Sequence, residues 1–105
     1  MSWFLLLAAG LLETVWALGL KLLAARFSAV LLVATAAAML ASLALLHAAM
    51  GRLPLGVAYP LWTGIGSAGA MIAGWAWLGQ PVGPAGVAGL VLMLTGMALV
   101  GLDGA

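Results

Sequence analysis

Apolar residues follow one another along this chain in four long stretches. They are separated by short breaks that hold Lys21 and Arg26, then Gly51, Arg52 and Pro54, then Gly79, Gln80 and Pro81. The stretches cover about residues 3–20, 27–50, 55–78 and 84–102, each near the roughly 20 apolar residues that a helix rising about 1.5 Å per residue needs to cross hydrocarbon. None of them alternates with period two. Only helices and closed barrels satisfy their backbone hydrogen bonds in lipid, and runs this long do not fit barrel strands of about 9–11 residues. The pattern therefore predicts an all-α integral membrane protein, a single domain over residues 1–105 with four transmembrane helices. Its short connections make consecutive helices antiparallel neighbours. The first stretch has a carboxylate near its middle and no cationic segment ahead of it, so it reads as a retained helix and not as a secretory signal. Pro84 suits the first turn of the last helix.

Composition narrows the function classes. Hydrophobic residues make up 68% of the 105 and charged residues only 5%, where soluble domains carry about a quarter. The five charges, Glu13, Lys21, Arg26, Arg52 and Asp103, cannot cover a water-soluble globule. Three cations cannot form the phosphate-neutralising stripe of a nucleic-acid binder, so the expected surroundings are a lipid bilayer and no nucleic acid. There is no cysteine, hence no disulfide framework or thiolate metal site. No nucleophile, base and orienting group occur together, so neither an enzyme nor a metal or cofactor site is expected.

Charge placement bears on topology, because an excess of Lys and Arg marks the cytoplasmic side. Lys21 and Arg26 fall on one face of the membrane and Arg52 on the other, a nearly balanced distribution. It is compatible with insertion in both orientations. Many transporters bind substrate between inverted halves, and an antiparallel homodimer would supply the inverted half that one four-helix chain lacks. A single, weakly determined orientation fits the same charges.

Glu13 carries the functional argument. It lies about ten residues into the first stretch, roughly 15 Å deep and near the middle of the hydrocarbon. An acid there costs about 2.5–3.5 kcal/mol even on the most lenient scale, and such residues face a bundle interior or a water-filled cavity. Lys21, about 12 Å further along the same helix, belongs to the interface. The countercharge is then exogenous, a proton or a small cationic substrate competing for one carboxylate; the alternative is an acid kept neutral and hydrogen-bonded inside the bundle. Around Glu13, Trp16 lies at i+3, Ala9 and Gly10 at i−4 and i−3, and Ala17 at i+4, giving an acid, an aromatic wall and small residues on one face. The small residues serve close helix packing equally well.

The third stretch brings Tyr59 and Trp62 at i,i+3, followed by Thr63, Gly64 and Gly66. Aromatic faces attract cations and a phenol can hydrogen-bond a carboxylate, although an aromatic belt at a helix start has the same spacing. The glycines of TGIGSAG (63–69) read as close packing or a kink. Ser42 can reach the acid across an interface or bond its own helix. His47 reads as a headgroup-level residue, Trp75 and Trp77 as belt residues, and the methionines as pliable packing. Gly89 and Gly96, seven apart on the uncharged last helix, mark an association surface.

AGLLETVWALGLK (9–21) and LPLGVAYPLWTGIG (53–66), with Ser42 between them, resemble the small multidrug resistance family over essentially the whole chain. Gly10, Glu13, Trp16 and the WTGIG run resemble its guanidinium-exporter subtype. The resemblance implies a dual-topology antiparallel homodimer in the bacterial inner membrane that exports guanidinium in exchange for protons, which serve as coupling ion with no other cofactor. It implies that Glu13 of each subunit binds protons or guanidinium. Ser42 and Trp62 would orient the carboxylates, Trp16 would line the pocket with Gly10 and Thr63 beside it, and Tyr59 would coordinate the site and its gating. Gly89 and Gly96 would form the dimer contact. Two residues depart from the family pattern. Pro60 replaces the usual alanine after the tyrosine and disfavours helical geometry at Tyr59, and Asp103 stands where lysine is common. Export of larger quaternary ammonium cations is the nearest rival, and a non-transporting assembly subunit is a rival of another class. A two-helix proton-carrying ring subunit is disfavoured by the four spans.

Overall fold

The computed structural model of the protein describes residues 2–104. It is all-helical: α1 (Ser2–Ala25), α2 (Ala29–Met50), α3 (Leu55–Ala76) and α4 (Pro84–Gly104). By length and composition α1, α2 and α4 are apolar enough to cross a membrane. α3 is as long as α2 but is diluted by glycines, Pro60, Tyr59, Thr63 and Ser67.

The helix ends follow from local chemistry. α1 continues past Lys21, where the polar pattern predicted a stop, because Leu22, Leu23, Ala24 and Ala25 are good helix formers and lysine itself is no helix breaker. Ser28 then opens α2 from an extended backbone, its Oγ accepting the Leu31 N–H at 3.3 Å. Pro54 precedes α3 in an extended conformation, as a residue without an N–H can. Beyond α3, Gly79 takes a φ of 66°, which lets the chain double back so that the Gln80 N–H reaches the Gly74 carbonyl at 3.0 Å. Pro84 opens α4, whose first turn needs no donor from it. Pro60 lies inside α3, yet the helix runs unbroken through it and Tyr59 remains helical.

Laterally the helices follow the order α2, α1, α3, α4. α1 packs against both α2 and α3, α2 and α3 meet only sparsely, and α4 touches α3 alone. Short connections thus did not make α2 and α3 close partners: α1 lies between them and packs closely on both. The result is a slab with Cα extents of 41 × 34 × 16 Å, thin in one direction. Its core lies toward one end, where the start of α1 (Leu6, Ala9), the end of α2 (Leu46, Ala49) and the start of α3 (Val57, Ala58, Leu61, Trp62) converge. Toward the other end α1 and α3 separate enough to leave a cavity of about 210 Å³, lined by Ala17, Lys21, Ala73, Gly74 and Gln80 among others.

Candidate functional site

Three glycines bring α1 and α3 together around Glu13. A Cβ on Gly10 would meet the Ile65 side chain at 2.5 Å. A Cβ on Gly66 would overlap the Glu13 carboxyl group, and one on Gly69 would overlap the Thr14 hydroxyl. Each missing methyl is a notch that a side chain from the facing helix fills, the close approach that small residues permit in membranes. Glu13 is half-buried as a residue, but its Oε1 is shielded from solvent and has no hydrogen-bond partner among the described residues. The indole Nε1 of Trp16, one turn further on, is likewise buried and unpaired. An acceptor and a donor on neighbouring turns of α1 therefore both await a partner, and such orphans are rare enough in folded proteins to need a reason.

Ser42 and Trp62 bond to each other and to the backbone of α1. The Trp62 indole N–H donates to Ser42 Oγ at 3.0 Å, and the Ser42 hydroxyl donates to the Ala9 carbonyl at 2.7 Å. Both residues are buried. The chain of bonds ties α3 to α2 to α1, and it ends on the carbonyl one turn before Glu13, the helical acceptor of the Glu13 amide. Each of these side chains has one proton to give, and both protons are taken up, so in this arrangement neither donates to the carboxylate. They position the backbone that carries Glu13.

Tyr59 packs against Trp62, with ring centroids 5.4 Å apart and planes tilted by 55°. It is half exposed and reaches neither Glu13 nor Ser42 by a hydrogen bond. Thr63 donates back to the Tyr59 and Pro60 carbonyls of its own helix, both at 3.1 Å. Pro60 leaves the Gly56 carbonyl without its helical donor, and the Thr63 hydroxyl adds a bond one turn further on, an ordinary back-bond of a helical threonine. Gly10 is a packing residue against Ile65. On α4, Gly89 and Gly96 have open space where a Cβ would stand, and no residue of that helix is buried.

A family profile described as Small Multidrug Resistance protein matches residues 1–93. The chain belongs to the small multidrug resistance family. A protein of Escherichia coli O6:H1 named guanidinium exporter is 48% identical over 97 residues, covering 92% of each chain. Guanidinium exporters of Citrobacter freundii and Salmonella typhimurium are 47% identical with the same coverage. The chain is thus a multi-pass membrane protein of a transporter family, which points away from an enzyme.

In this family member two contacts went unread in the sequence. Thr14 beside Glu13 donates to the Gly66 carbonyl at 3.3 Å, and Gly19 receives the buried Thr35 side chain of α2. The available signal was pairing: the threonines of α1 and α2 and the glycines facing them are the small and polar exceptions in apolar helices.

Proposed function

We propose that the protein exports guanidinium and small guanidinyl cations in exchange for protons. The single observation that carries this reading is the Glu13 carboxyl oxygen, placed in mid-span and shielded from solvent without a partner. An intramembrane acid with no resident cation takes its countercharge from what passes through. Protons and guanidinium exclude one another there because each neutralises the same carboxylate. The relatives' name supplies the choice of cation. The unpaired Trp16 beside Glu13 adds an aromatic face of the kind that attracts cations.

The thin slab supports assembly of two copies in opposite orientations, with four spans in each. One layer of helices leaves Glu13 on a wall, and an inverted second copy turns the wall into a chamber with two carboxylates. Alternating access then follows from energetics. Two empty carboxylates crossing a closed, dry intermediate repel one another and lack water, whereas a pair neutralised by protons or by substrate does not. Exchange proceeds only when loaded, which couples the two flows. The nearly balanced cations, Lys21 and Arg26 against Arg52, permit both orientations in the bacterial inner membrane.

The test is flux in liposomes. Glu13→Gln abolishes guanidinium uptake driven by a proton gradient, and retained coupled uptake rejects the assignment. Tetra-alkylammonium ions, which donate no N–H bonds, are carried poorly by the wild type. Their transport in place of guanidinium would shift the substrate class to quaternary cations.

A further inference from the structure

We infer that Thr14 is a positioning residue for Glu13: its hydroxyl, shared between two helices, holds α1 at the depth in α3 where the acid lies against Gly66. The inference rests on the reading of Glu13 as the exchange site and names a residue that sets its position.

Glu13 and Thr14 are consecutive, so on a helix their side chains diverge by about 100°, and a surface must be grooved in two places to receive both. Gly66 and Gly69 provide those grooves. Three residues apart, they lie on one face of α3, and a Cβ on the first would overlap the Glu13 carboxyl, on the second the Thr14 hydroxyl. The two helices therefore mesh in one register around this pair. Thr14 alone has a directional bond in that seam. Its Oγ1 lies 3.4 Å from the Gly10 carbonyl of its own helix and 3.3 Å from the Gly66 carbonyl of α3.

A threonine bonded only to its i−4 carbonyl is an ordinary helix feature. The second acceptor makes this one a tertiary contact, because Gly66 is the residue whose missing side chain makes room for the carboxylate. Both carbonyls have a lone pair beyond the one used within their helices, so each can accept the single hydroxyl proton, which the two share. If the bond to Gly66 is lost, α1 and α3 keep their shapes but no longer have a polar stop that fixes their separation at Glu13.

The experiment uses the full chain in detergent and measures guanidinium affinity by calorimetry over a range of pH, with circular dichroism as a check on folding. Thr14→Val keeps the branched shape and removes the donor. It weakens guanidinium binding about fivefold, the size expected for one hydrogen bond, and moves the pH at which protons half-displace the substrate. Thr14→Ser restores both to near wild type. Gly69→Ala, which crowds the hydroxyl while leaving Glu13 and Gly66 unchanged, moves the pH profile as Thr14→Val does, and it decides the matter should Thr14→Val not fold. Wild-type affinity and pH profile in Thr14→Val and Gly69→Ala overturn the inference, as does equal weakening in the Val and Ser variants. Glu13→Gln separates the two levels. Binding that survives Glu13→Gln overturns the exchange-site reading together with this inference, whereas binding lost there but untouched by the Thr14 and Gly69 variants overturns only the role of Thr14.

Discussion

α3 and α4 are both glycine-containing helices of similar length, and the protein treats them in opposite ways. α3 buries eight residues, and its glycines at 64, 66, 69 and 74 each admit a foreign side chain: Met97, Glu13, Thr14 and Gln80. α4 buries none, and its glycines at 89 and 96 face open space. In hydrocarbon there is no hydrophobic gain from burying leucine against leucine, so contact depends on how closely backbones approach. On α3 glycine performs that task within one chain and seats the acid. On α4, Gly104 still receives Val57 of α3, but Gly89 and Gly96 leave an apolar stretch with nothing from the chain upon it, which suits the proposed contact with a second copy.

The largest effect expected of this contrast belongs to Gly66→Ala. One methyl there meets the carboxyl of Glu13, so guanidinium affinity falls by more than about tenfold, the scale at which a misplaced binding group costs over about 1.4 kcal/mol. Calorimetry on the purified protein reads it, and near wild-type affinity would mean that the seat is not where the acid binds cation. The matching change on α4, Gly89→Ala with Gly96→Ala, leaves helix content and the single-chain fold intact, since nothing in the chain occupies that space. It weakens association, read by light scattering in detergent. If association were unchanged, the open face would not be the contact.

Next in size is Ser42→Ala, which leaves the buried Trp62 N–H without an acceptor. The cost is about 1–3 kcal/mol of stability, visible as a lower thermal midpoint in detergent. Trp62→Phe removes donor and need together and costs less through this bond, although it also loses packing area. A reversed order would indicate that the Ser42–Ala9 bond, not the indole, organises the junction.

The smallest and most graded effect is that of pH. A cation that competes with protons for one carboxylate is bound more weakly as pH falls. Linkage limits the loss to about tenfold per pH unit for each proton displaced. Affinity that ignores pH would break the competition.

Much of the fold was legible because four apolar runs of helical length, punctuated by Gly, Pro and charge, leave few alternatives. Helix ends were less so: Lys21 looked like a boundary, but a lysine among good helix formers does not end a helix, and α1 runs on to Ala25. The lateral order was not legible at all. Which helix α3 prefers depends on the meeting of Gly10 with Ile65, Glu13 with Gly66 and Thr14 with Gly69, and spacing along the chain does not assign such pairs. At the site, mid-span depth alone singled out Glu13. Only the family resemblance placed Trp62 and Ser42 at one site, and their bond to each other and to Ala9 emerges only when three helices meet. Pro60 was read as a disturbance, whereas α3 continues through it.

The most direct measurement is proton release when guanidinium is added to the purified protein in weakly buffered detergent solution. Protons should appear in the medium on addition, in an amount that varies with pH as the carboxylates load, and Glu13→Gln should release none. Guanidinium binding without proton release at any pH would contradict a shared carboxylate site.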